Sequence, residues 1–145
     1  MIRAPFILIL FFGVKGFSLY AQGTAFEVGY KYNSKNYIQL GLSHRFNLSK
    51  DLYNPLNVNV SLLTDFKNCL PLIGFQKRWG ESYEIGLNTT NRYVEPIVGV
   101  NLLNLAKAHL GYSISYGSNT FPNNLTFGLL INIGESNYHD RLKLF

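Results

Sequence analysis

The chain has a single cysteine, Cys69, in 145 residues. One cysteine cannot close an intramolecular disulfide, so the fold is held by pairing and packing alone. Nor is there a run suited to a membrane helix. The apolar stretch Phe6 to Val14 lies between Arg3 and Lys15, and a spanning helix needs about 20 apolar residues. No window carries a helical apolar stripe with caps. A phosphate loop and a dinucleotide fingerprint are both missing, so no nucleotide cofactor is expected. His44 and His139 lack partners at metal-ligand spacing, and no metal is expected.

What is present begins with a leader. Arg3, the run Phe6 to Val14 and the segment ending LYA before Gln22 read as a secretory signal cut after Ala21. No cysteine follows the run, which argues against a lipid-anchored lipoprotein. Losing Arg3 and Lys15 leaves 11 basic residues against 8 acidic, a net charge of +3. That is a weak basis for nucleic-acid binding, and no such partner is expected. The remaining length suits one domain, 22–134. The tail 135–145 has no clear alternation and is left unassigned.

Period-two alternation runs through that domain, and a period of two puts alternate residues on opposite strand faces. The stretch Tyr93 to Tyr116 shows it best. Val94, Pro96, Val98, Val100 and Leu102 share one face, with Glu95, Ile97, Gly99 and Asn101 on the other. After a turn, Ala108, Leu110, Tyr112, Ile114 and Tyr116 oppose His109, Gly111, Ser113 and Ser115. Similar segments lie at about 25–32, 37–46, 56–66, 70–79, 83–89 and 125–134. In the fourth, Lys77 is out of place beside Ile73, Phe75 and Trp79. The polar faces are small, built of glycine, serine, asparagine and isolated charges. Such faces suit strands with lipid on one side and a narrow lumen on the other.

Glycines mark the inner face of seven of the eight segments: Gly29, Gly41, Gly74, Gly86, Gly99, Gly111 and Gly128, with Gly134 extra. An eight-stranded barrel is just wide enough for side chains to fill it, so small residues must make room for larger polar ones. Tyr32, Tyr37, Phe66, Tyr93 and Tyr116 are expected near one rim, and Phe26, Phe46, Trp79 and Tyr83 near the other. The inner faces also hold Glu27, Glu84 and Glu95 beside Lys31, Arg45 and Arg78. In a narrow lumen these should form a structural ion-pair core. A Ser, His and carboxylate set (Ser113 or Ser115, His109, Glu95) also lies on adjacent inner faces. Strand residues four apart are about 13 Å apart, however, so His109 and Ser113 should not meet, and no catalytic residue is assigned.

With leader, eight alternating segments and inward Gly/Glu/Arg residues in view, the chain resembles the small outer-membrane barrels of the OmpA/OmpX type. In its shortness it is similar to members found in Bacteroidota. The resemblance implies an all-β, eight-stranded antiparallel up-and-down transmembrane barrel, localised to the outer membrane. It further implies lipid as the immediate partner and a structural or surface-interaction role. Two features depart from the pattern: Phe145 ends a charged tail rather than a closing strand, and the outer loops are short. A lipid-modifying hydrolase and a lipocalin-like periplasmic barrel are the alternatives. The His-x-Ser-Asn segment expected of an outer-membrane lipid A deacylase is missing, since Leu110 and Gly111 follow His109.

Overall fold

Alternation of this kind dictates strands, and the computed structural model contains eight. It describes residues 23–46, 55–80, 82–117 and 122–134. The expected leader and its cut after Ala21, and the tail at 135–145, lie outside the described residues. The strands are β1 (Thr24–Asn33), β2 (Lys35–Phe46), β3 (Leu56–Thr64) and β4 (Cys69–Trp79), then β5 (Tyr83–Thr90), β6 (Tyr93–Leu102), β7 (Ala106–Ser115) and β8 (Asn124–Gly134). Each pairs antiparallel with the next, and β8 returns to β1, so the sheet closes.

The register sets the shape of that closure. Pairing runs from Tyr32 through Phe127, Leu110, Val98, Ile85, Lys77 and Leu56 to Phe46. Phe46 lies two residues beyond His44, the partner of Thr24, so one circuit is offset by ten residues along β1. An offset of this size tilts the strands by about 40° and leaves an interior that side chains can fill.

Tight turns close one end: Ser34 between β1 and β2, residues 65–68 between β3 and β4, and 91–92 between β5 and β6. Ser34 and Phe66 take positive φ there. At the opposite end, β6 and β7 meet through Leu103 and Asn104, both at positive φ. The Leu105 N–H donates to Leu102 C=O at 2.8 Å. Two consecutive left-handed residues match the twist of a hairpin. Asparagine tolerates that conformation better than leucine does. Within β6, the ladder to β7 skips Glu95 and Pro96. Proline has no N–H to contribute to a ladder.

Polarity across the wall is inverted relative to a water-soluble domain. Among the described residues, 28 large apolar or aromatic side chains are exposed, including Leu110, Leu125, Ile131 and Ile133. Inside, 22 polar or charged residues are buried against eight apolar ones. The apolar minority gathers toward the tight-turn end, where Tyr37, Leu63, Leu70 and Leu72 form one cluster.

Two expectations need correction. Tyr37 and Tyr93 do not belong to an exposed aromatic rim: they face inward, 5% and 0% exposed. The pleat puts them in phase with Gln39 and Glu95, the inner residues of β2 and β6. The third strand ends at Thr64, and Phe66 lies in the following turn. Otherwise the assigned faces hold. Phe66, Tyr32 and Tyr116 are exposed toward the tight-turn end, as are Phe26, Trp79 and Tyr83 toward the other. Phe46 is half-buried there, edge-on to His44.

Candidate functional site

The inward faces of all eight strands converge on one filled lumen, and its chemistry is organised by three carboxylates. Glu95 on β6 pairs with the Lys31 ammonium of β1, both fully buried. The same carboxylate accepts the Thr126 hydroxyl of β8. It also accepts the Asn88 amide of β5 at 2.9 Å. One side chain thereby joins four strands, two of them across the lumen. Glu27 on β1 works differently. Its Oε1 accepts from Gln39 Nε2 at 2.7 Å, Asn59 Nδ2 at 3.0 Å and Ser61 Oγ at 3.1 Å. That oxygen is held by neutral donors from β2 and β3, while Oε2 is buried without a hydrogen-bond partner.

Glu84 on β5 is the third. It stands opposite Arg78 of β4 in the register and accepts the Asn101 amide at 2.9 Å. Asn101 passes the contact on to Asn104, whose Oδ1 lies 2.8 Å from Asn101 Nδ2. The Asn104 C=O in turn accepts the Asn132 amide at 2.8 Å. The β6–β7 turn is therefore folded under the barrel, with Asn104 buried as a polar stopper. Arg45 is buried on β2 opposite Asn57.

All six residues expected in the lumen are buried there: Glu27, Lys31, Arg45, Arg78, Glu84 and Glu95. Sequence reasoning missed a fourth cation. Lys107 is 2% exposed and donates to Gln76 Oε1 at 3.0 Å. It shares the parity of His109, but the clear alternation in the sequence begins one residue later, at Ala108. Extending the alternation back by one step would have found it.

His109 occupies the same interior with neither ring nitrogen hydrogen-bonded. Its imidazole lies over Gly128, where a Cβ would collide with the ring. This is a close approach only glycine permits. Ser113 is engaged elsewhere, 3.3 Å from Asn33 Oδ1 and accepting the Asn124 N–H at 3.1 Å. Ser115 bonds Gly117 C=O at 2.7 Å. The Ser, His and carboxylate set therefore does not converge, and nucleophilic catalysis lacks its base-to-hydroxyl contact. His44 faces outward and bonds Thr24 Oγ1 at 2.9 Å. No group of three metal-ligating side chains occurs among the described residues.

Compared with protein-family models, curated proteins and solved structures, the chain matches none of them. Its chemistry rests on its own geometry. That geometry is a set of cross-braces in which carboxylates tie strands together through a packed polar interior. Two grooves, of about 430 and 480 Å³, are lined largely by outward-facing residues of the wall.

Proposed function

We propose that the chain is an outer-membrane β-barrel with a structural or surface-interaction role and a packed polar lumen. The observation that carries this reading is the inverted polarity. Burying charges and amides while exposing leucine, isoleucine and phenylalanine would be unfavourable in water. It is favourable where the outside is hydrocarbon and every backbone group is satisfied by closure. Strands of 8 to 12 residues, tilted by about 40°, give a wall close to the ~25 Å apolar band such barrels carry. A lipocalin-like barrel needs the reverse distribution, with an apolar interior to hold its ligand.

Membrane fractionation tests the reading. The protein is expected to sediment with the outer membrane, resist extraction by alkaline carbonate, and migrate differently on gels before and after boiling. Recovery in the soluble fraction after lysis would sink it. Lipid A of cells overexpressing the protein is expected to keep its mass. Loss of an acyl chain from lipid A would instead establish a hydrolase.

A further inference from the structure

Lys77 is the one strand residue of the described chain that places an Asp, Glu, Lys or Arg side chain on the outer wall. Its direction is forced. Gln76 and Arg78 on either side are buried in the lumen, so the pleat turns Lys77 outward. A cation on the lipid face is costly at mid-bilayer and nearly free at the interface. Lys77 lies two residues before Trp79, the last residue of β4. On a tilted strand two residues cover only about 5 Å of depth, a distance a lysine stem spans by snorkelling.

The surroundings supply the rest of a site. Lys77 pairs in register with Ile85. Beside it runs a groove of about 430 Å³ lined by Trp79, Gly80, Tyr83, Glu84, Ile85, Val98 and Gly99, where Glu84 is only 2% exposed and turned to Asn101 in the lumen. Trp79 and Tyr83 are 73% and 68% exposed, as interfacial aromatics at headgroup level are. Among the described residues no carboxylate faces outward near Lys77 to neutralise it. Apolar floor, aromatic rim and a single cation form a sequence from tail to headgroup.

We infer that Lys77, Trp79 and Tyr83 form a binding site for one anionic glycerophospholipid. The Lys77 ammonium meets the headgroup phosphate, and one acyl chain lies along Ile85 and Val98. This rests on the membrane reading above. Charge complementarity selects the occupant: a zwitterionic lipid presents its own cation beside the phosphate, and a neutral one offers no charge to Lys77.

Trp79 is the only tryptophan in the chain, so its fluorescence reports the lipid at this position. The full protein is refolded into mixed vesicles in which either phosphatidylglycerol or phosphatidylcholine carries brominated, quenching acyl chains. Phosphatidylglycerol should be enriched about fivefold around Trp79 at low salt, and less as salt screens the charge. K77Q should abolish the preference, whereas K35Q at the other end should keep it. Boiled and unboiled gels verify that both variants are folded barrels. Equal quenching by the two lipids, or a preference that survives K77Q, overturns the site while leaving the membrane reading intact. Quenching by neither lipid overturns both. Loss of the preference to inorganic phosphate, but not to chloride at matched ionic strength, overturns the lipid as occupant in favour of free phosphate.

Discussion

Two neighbouring regions of the lumen are built on opposite principles. Toward the tight turns, Tyr37, Leu63, Leu70 and Leu72 pack as a small apolar core. Next to it, Lys31, the register partner of Tyr37, and Glu95 sit fully buried in a network of amides and hydroxyls. Apolar packing is non-directional, so that cap depends on volume. The charged centre depends on every group keeping its partner. The same barrel thus tolerates different kinds of damage in adjoining parts of its lumen.

Removing one partner at the centre should therefore cost most. Glu95→Ala leaves the Lys31 ammonium buried without its counter-charge, with an expected loss of about 3–5 kcal/mol. The readout is the urea midpoint of unfolding from vesicles. Replacing both partners, Lys31→Met with Glu95→Leu, should recover most of that loss. Equal destabilisation by the single and the double variant would show that the unpaired charge is not what matters.

In the apolar cap, Leu72→Ala should cost about 2–4 kcal/mol through lost contacts and the cavity left behind. Refilling by Leu72→Met should restore most of it, an exchange the charged centre would not accept. Gly128→Ala comes next, at about 1–3 kcal/mol, because its methyl would enter the His109 ring. His109→Ala in the same chain should relieve that clash, and a double-mutant cycle would measure the coupling. Additive effects would contradict the contact.

The smallest effect lies outside the lumen. Asp65 Oδ1 accepts the backbone N–H groups of Asn68 at 2.6 Å and Lys67 at 3.0 Å. These bonds, the one from Asn68 foremost, hold its carboxyl below the usual aspartate range. Because the folded value is depressed, the contribution is present above the unfolded pKa of about 3.9 and is lost as pH falls through the lower folded value. The stability gap between wild type and Asp65→Asn should therefore be small at neutral pH and close in acid. A gap that persists unchanged at pH 2 would contradict this origin.

Legibility in the sequence followed the same division. Where the inner face is polar, as at Asn57, Asn59 and Ser61 opposite Val58, Val60 and Leu62, alternation reveals strand and facing together. Leu70 and Leu72 face inward while Ile73 and Phe75 face outward, so β4 starts apolar on both sides and its period blurs. Tyr37 and Tyr93 are ambiguous for a related reason: an aromatic near a strand end suits either a rim or a cap. The six lumen charges were readable because a charge on the polar face of such a strand has nowhere else to go. Which groups they bond was not readable. Partners such as Lys31 and Glu95 are brought together by the offset of the whole circuit rather than by any local spacing.

That circuit closes through β1 and β8, where Ala25 pairs with Gly134. One set of the first strand's partners is thus made about a hundred residues after it. Until then β1 carries an unsatisfied edge, an invitation to pair with another chain. Closure by such distant contacts is also intrinsically slow. A newly made chain must be kept apart from its neighbours until β8 arrives to cover that edge.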